Sequence, residues 1–308
     1  MCCFSAETRV FGTNIFARVV RPGVQTLAYQ MTYEAKTPTA MILPLPVALP
    51  AREDSVRFRN LKPYPEFFSD LARGFPEPPP PSNLVGSRAA TAAASHSPLA
   101  VHEVGDFVAS FVPQLRDFDR VDPRFVISKD VWARLPAYAD YGFAVFQLKN
   151  LAGTPHPMAF EFESRLAGAV FFPTVHIHSG KVFEKDDFDH VLYVQNKNFD
   201  ARAGSYRGPN AVDDATGLVR SDRPAGTFIE DGRAAGLVDP ALLVHKATLT
   251  GSLPNKDTVY PLNAHAPASS GCGRCDVAPA RSAAAALPVA AMAGLSWIIR
   301  RRAEHGRK

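Results

Sequence analysis

From residue 25 to residue 34 the side chains alternate without a break. Leu27, Tyr29, Met31 and Tyr33 face one way; Thr26, Ala28, Gln30, Thr32 and Glu34 face the other. A period of two held over such a length specifies a strand and excludes a helix, whose repeat is 3.6 residues. Residues 9–20 supply a second strand across Arg21-Pro22-Gly23, so the chain opens as a long antiparallel hairpin.

The rest of the chain follows the same grammar. Residues 40–47 read as a buried strand, and Pro44 and Pro46 confine it to an edge or a strand end, because proline cannot donate to a ladder. Further strands are predicted at 101–112, 142–149, 158–163, 169–178, 181–183, 188–195 and 244–253. Short helices are predicted at 65–73, stopped by Gly74, and at 129–135, capped by Ser128. The 27 prolines and 21 phenylalanines of this 308-residue chain also favour a β-rich body with irregular connections. The expected fold class is α+β and β-rich: antiparallel sheets with a few short helices, plus a single C-terminal helix. The expected organisation is an N-terminal β-rich part (1–75), a Pro/Ala/Ser linker or insertion (76–100), a second β-rich part (101–253), a flexible tether (254–282) and an apolar helix (283–302). Residues 143–177 echo the order of strand, turn and proline-bearing strand seen in 25–47; two related halves are one reading and a coincidence of hairpins is the other.

Charge matters here for where it lies. The formal net charge is +4, and Arg300, Arg301, Arg302, Arg307 and Lys308 against Glu304 carry all of it. The body is therefore neutral, which argues against a nucleic-acid partner. Residues 283–299 form a run of 17 uncharged, mostly apolar residues before that basic cluster. The run predicts a membrane span with Trp297 near the interface, and hence a membrane partner through a C-terminal helix. The positive-inside bias would put the C-terminus in the cytoplasm and the body outside, yet residues 1–20 lack the apolar core of a leader peptide. A cytoplasmic protein with its C-terminal helix packed on the body is the alternative.

The strong catalytic signatures are absent from the sequence: there is no P-loop, Rossmann glycine set, HExxH or nucleophile elbow. His102-Glu103 starts as HExxH would, but Asp106 stands at the fifth position. The best candidate is His176-Ile177-His178, with His190 or Asp189 further on. On a strand His176 and His178 share a face, so both can ligate one divalent metal such as zinc, with His190 as the third ligand. A two-residue turn at Ser179-Gly180 would set Lys181 beside the histidines and Glu184 away from them, which weighs against a metal. The ordinary reading is a half-exposed strand face without a cofactor, and a pH-sensitive cluster is a further one. The acidic run Asp186, Asp187 and Asp189 reads as a solvated loop. Cys272-Gly273-Arg274-Cys275 with Cys2-Cys3 would make four sulfurs, but adjacent cysteines suit zinc poorly. Processing or modification at Cys272 and Cys275 is the expectation.

Two resemblances bear on location. Met41-Ile42-Leu43-Pro44-Leu45-Pro46, Pro157-Met158-Ala159-Phe160 and Phe172-Pro173-Thr174-Val175, spread over residues 10–195, resemble an uncharacterised family of bacterial exported proteins. Gly271-Cys272-Gly273-Arg274-Cys275, the apolar run and Arg300-Arg301-Arg302 resemble the sorting tails of bacterial surface proteins. They imply an envelope-associated protein and carry over no catalytic residue. The expected function is a non-enzymatic binding or structural role at the envelope. The alternatives are a metal-binding protein or metal-dependent enzyme using the histidine cluster, and a soluble cytoplasmic protein.

Overall fold

The computed structural model describes residues 3–76, 102–178, 180–209 and 211–263. The opening hairpin forms as its alternation requires. β1 (Cys3–Phe4) precedes β2 (Thr8–Arg21) and β3 (Val24–Ala35), which pair antiparallel with Arg21 opposite Val24. Gly23 sits at φ +75°, a conformation that glycine adopts without a Cβ penalty. β4 (Ala40–Leu45), β5 (Val56–Asn60) and helix α1 (Phe67–Arg73) complete the N-terminal segment. The chain continues through β6 (His102–Val104), β7 (Phe107–Val112), α2 (Lys129–Ala133), β8 (Gly142–Leu148), β9 (Ala152–Gly153), β10 (Met158–Glu163) and β11 (Ala169–Phe172). It closes with β12 (Lys185–Gln195), β13 (Val219–Arg220), β14 (His245–Pro254) and β15 (Thr258–Pro261).

Two sheets organise these strands. One has the order β1-β4-β8-β7-β6; the other runs β13-β14-β12-β2-β3-β10-β5, with β9 attached to β3. β11 and β15 form a separate pair. Most pairings are antiparallel, but β12 lies parallel to β2, with His190 opposite Thr13. The expected β-rich α+β class with antiparallel sheets and short helices is present.

The two sheets face each other across an apolar core. Leu27, Tyr29, Met31 and Tyr33 of β3 meet Met41, Leu43 and Leu45 of β4 there, with Phe146 and Phe160. The alternation works on both faces. Ala28 and Phe16, on the far side of the larger sheet, are covered by Phe67, Phe68 and Leu71 of α1 and by Phe228 and Leu237. Ile42, Phe143 and Val145, on the far side of the smaller sheet, are covered by Phe118, Trp132, Val175 and Ile177. Helices and loops thus bury both sheets twice over, which explains why so few strands keep a solvated face.

Several expectations change. The parts 1–75 and 101–253 do not fold apart: β4 pairs with β8, and β3 with β10, so both sheets draw strands from both parts. Nor does the echo between 25–47 and 143–177 make equivalent halves, because β3 and β8 belong to different sheets. The tether expected from residue 254 contains a strand, β15, and the strand expected at 181–183 is irregular chain. The membrane partnership through a C-terminal transmembrane helix is corrected: among the described residues no helix is long and apolar enough to cross a membrane. Residues 283–302, most of the linker 76–100 and most of the tether lie outside the described residues.

Candidate metal centre

The histidines sit where the edge of the smaller sheet meets the start of β12. After β11 the chain leaves the ladder at Pro173 and runs as extended, irregular backbone through residues 174–178. Two side chains from the segment between β14 and β15 hold it. Asp257 accepts through Oδ1 from the N–H groups of Thr174 and Val175 at 2.9 and 3.0 Å, and through Oδ2 from the Tyr138 hydroxyl at 2.8 Å. The Asn255 amide accepts from the His176 N–H at 2.7 Å and donates to the carbonyls of His176 and Phe183, both at 3.0 Å. Asn255 thereby ties His176 to Phe183, and residues 181–183 form no strand that could pair back on the histidines. Lys181 and Glu184 are both exposed in this loop, so the objection to a metal based on their paired positions falls away.

On β12, Asp186, Phe188 and His190 share one face at strand spacing. The His176 ring lies over this row: it stacks on Phe188 at 4.2 Å and on His190 at 5.2 Å, centroid to centroid. His176 Nδ1 lies 3.5 Å from Asp186 Oδ2. The His178 ring stands nearly perpendicular to that of His176 at 5.4 Å. One donor atom from each of His176, His178 and Asp186 falls within 4.8 Å of the other two, a grouping that could hold a metal ion. His190 is brought against His176 but is not part of this group. Asp189, on the opposite strand face, instead accepts the Gly12 N–H at 2.7 Å.

The protonation chemistry suits ligation. His176 and His190 are fully buried, and burial pushes the His176 imidazole far below its ordinary value, with the neighbouring imidazoles adding to the effect. Burial also lowers His178, partly opposed by Asp186 and by a hydrogen bond to the Thr8 backbone. Both rings are therefore neutral near pH 7, the form that binds metals. The hydrogen bond to Thr8 matters twice. It engages one ring nitrogen of His178, while Nε2 is buried with no hydrogen-bond partner. A ligating histidine characteristically has this arrangement, with one nitrogen tied to a backbone carbonyl and the other open.

Sequence reasoning found His176 and His178 but not Asp186, Asn255, Asp257 or Thr8. The alternation Asp186-Phe188-His190 was the available signal for Asp186, masked by the acidic run around it. Cys272 and Cys275 lie outside the described residues; Cys3 is buried with its Sγ 3.8 Å from the Val175 carbonyl.

No family model matches this sequence, and no curated protein matches it. Among solved structures, the chain is similar to baculovirus P35, with a TM-score of 0.45 and 15% identity over 84% of this chain and 99% of that one. It is also similar to a mutated baculovirus P35 after caspase cleavage, with a TM-score of 0.39 and 14% identity over 81% of this chain and 96% of that one. A caspase-8/P35 complex gives a TM-score of 0.38 and 14% identity over 82% and 96%. A likeness this faint assigns no role to any residue of the present chain.

Proposed function

We propose that this protein binds one divalent transition-metal ion of the zinc class through His176, His178 and Asp186. The observation that carries the reading is that His176, His178 and Asp186 each bring a donor atom within 4.8 Å of the other two, and His178 also has a buried Nε2 without a hydrogen-bond partner. An unmet buried nitrogen costs about 1–3 kcal/mol, a cost that a metal bond removes. The donor set, two imidazoles and one carboxylate, favours zinc, copper, nickel or iron over calcium and magnesium, which prefer oxygen alone. Zinc–ligand distances of about 2.0–2.2 Å imply donors roughly 3.3 Å apart. The group therefore needs to close by at most about 1.5 Å on binding, a movement within reach of the half-buried His178 and Asp186 side chains.

The reading makes the metal a structural and binding element without assigning a reaction to it. Competition with a chromophoric chelator tests it on the full-length protein. The expected result is one Zn²⁺ per chain, with His178→Ala and Asp186→Asn each weakening binding at least tenfold and Ca²⁺ failing to compete. Zinc affinity that is the same in wild type and in both variants would overturn it.

A further inference from the structure

We infer that the metal centre is coupled to the docking of the N-terminal strand, so that filling the site clasps the start of the chain onto the body. This rests on the metal-binding reading above and names what the metal controls.

β1 has little of its own to hold it in place. It is two residues long, shorter than ordinary strands, and cannot persist without partners on both flanks. One flank is β4, where Cys3 faces Ile42 and Phe4 faces Met41. The other flank is the ligand segment itself. Cys3 forms a parallel bridge with Ile177, and the Phe4 N–H donates to the Ile177 carbonyl at 2.8 Å. Ile177 is the residue between the two histidine ligands. The side chains repeat the pattern: Phe4 stacks on the His178 ring at 6.5 Å, Cys3 faces Val175, and His178 hydrogen-bonds the backbone of Thr8, the first residue of β2. The N-terminal residues therefore touch Val175, Ile177 and His178.

A metal that fixes His176 and His178 also fixes Ile177 between them, and with it a partner on β1's outer flank. Linkage makes the coupling reciprocal: whatever factor the metal adds to strand docking, docking adds to metal affinity. Couplings of this kind amount to about 5- to 150-fold.

The test uses the full-length chain, chelator-treated or loaded with Zn²⁺, and reads amide hydrogen exchange by peptide. Zinc is expected to slow exchange at residues 3–8 and 175–178 at least fivefold, while β10 is unchanged. Phe4→Leu, which keeps an apolar side chain but loses the ring over His178, is expected to weaken Zn²⁺ binding severalfold. Zinc binding that leaves exchange at residues 3–8 unchanged would overturn the coupling while the metal site stands. Failure to bind zinc at all would overturn both.

Discussion

At the scale of single residues, two buried ionisable groups outside the ligand set give opposite pH signatures. Asp257 is half-buried as a residue, but its carboxylate points inward between Tyr138, Thr174 and Val175, and burial pushes its pKa up to about 7 despite the three hydrogen bonds that it accepts. The unfolded value is near 4, so the folded state holds the proton more tightly between about pH 4 and pH 7. Asp257 therefore makes the protein less stable as pH rises through that window, by about 4 kcal/mol in all. Asp257→Asn should flatten this part of the profile, as denaturant titrations from pH 4 to pH 8 will show. An unchanged slope would contradict the assignment. His245 behaves in the reverse sense. It is fully buried, 3.1 Å from Asp200, and burial lowers its pKa. Its contribution is present above the ordinary value of about 6.5 and is lost as pH falls below it. His245→Gln should reduce the loss of stability between pH 7 and pH 5, measured by thermal melts. None of this was legible in the sequence. Asp257 lies in a run rich in small and polar residues, and its partner Tyr138 is more than a hundred positions away. The two candidate ligands His176 and His178 were legible because their pattern is local.

At the scale of elements, local periodicity was a good guide and long-range pairing was not. The hairpin β2–β3, helix α1 and strand β10 lie within a few residues of where alternation, Pro65, Gly74 and the 158–163 pattern put them. Pro44 restricts β4 as expected: β1 covers only Met41 and Ile42, which leaves Pro44 without a strand neighbour on that flank. β15 was missed because four residues in a run rich in proline, alanine and serine carry too little periodicity to stand out. The parallel contact of β12 with β2 joins residues far apart in sequence, and no local pattern encodes it. The packing between β4, β7 and β8 yields a direct prediction. A Cβ at Gly142 would stand inside the van der Waals envelope of the Phe111 ring and close to Val47. Gly142→Ala should cost about 1–3 kcal/mol by overpacking, while Gly153→Ser, on a glycine with nothing near it, serves as the comparison for backbone strain alone. Urea unfolding of both variants checks this, and equal stability of Gly142→Ala and wild type would contradict the packing described.

At the scale of the whole molecule, the proposed metal site joins parts of the chain that the sheets hold only indirectly. His176 and His178 come from irregular backbone, Asp186 from the first turn of register on β12, and the supporting contacts from residues 3–8 and 255–257. Ligand binding to the folded state alone adds about 2.7 kcal/mol at a hundred times the dissociation constant. Saturating Zn²⁺ should therefore raise the melting temperature by several degrees, and chelation should reverse the shift, with no such effect in His176→Ala/His178→Ala. Sequence alone pointed to a body set apart from a membrane helix; the folded chain instead centres attention on a seam within the sheets. The most direct test of the central claim is anomalous diffraction at the zinc edge from crystals of the zinc-loaded protein. One peak is expected, bonded to His176, His178 Nε2 and Asp186 at about 2.0–2.2 Å. A peak elsewhere, with these three side chains unmoved and unligated, would contradict it.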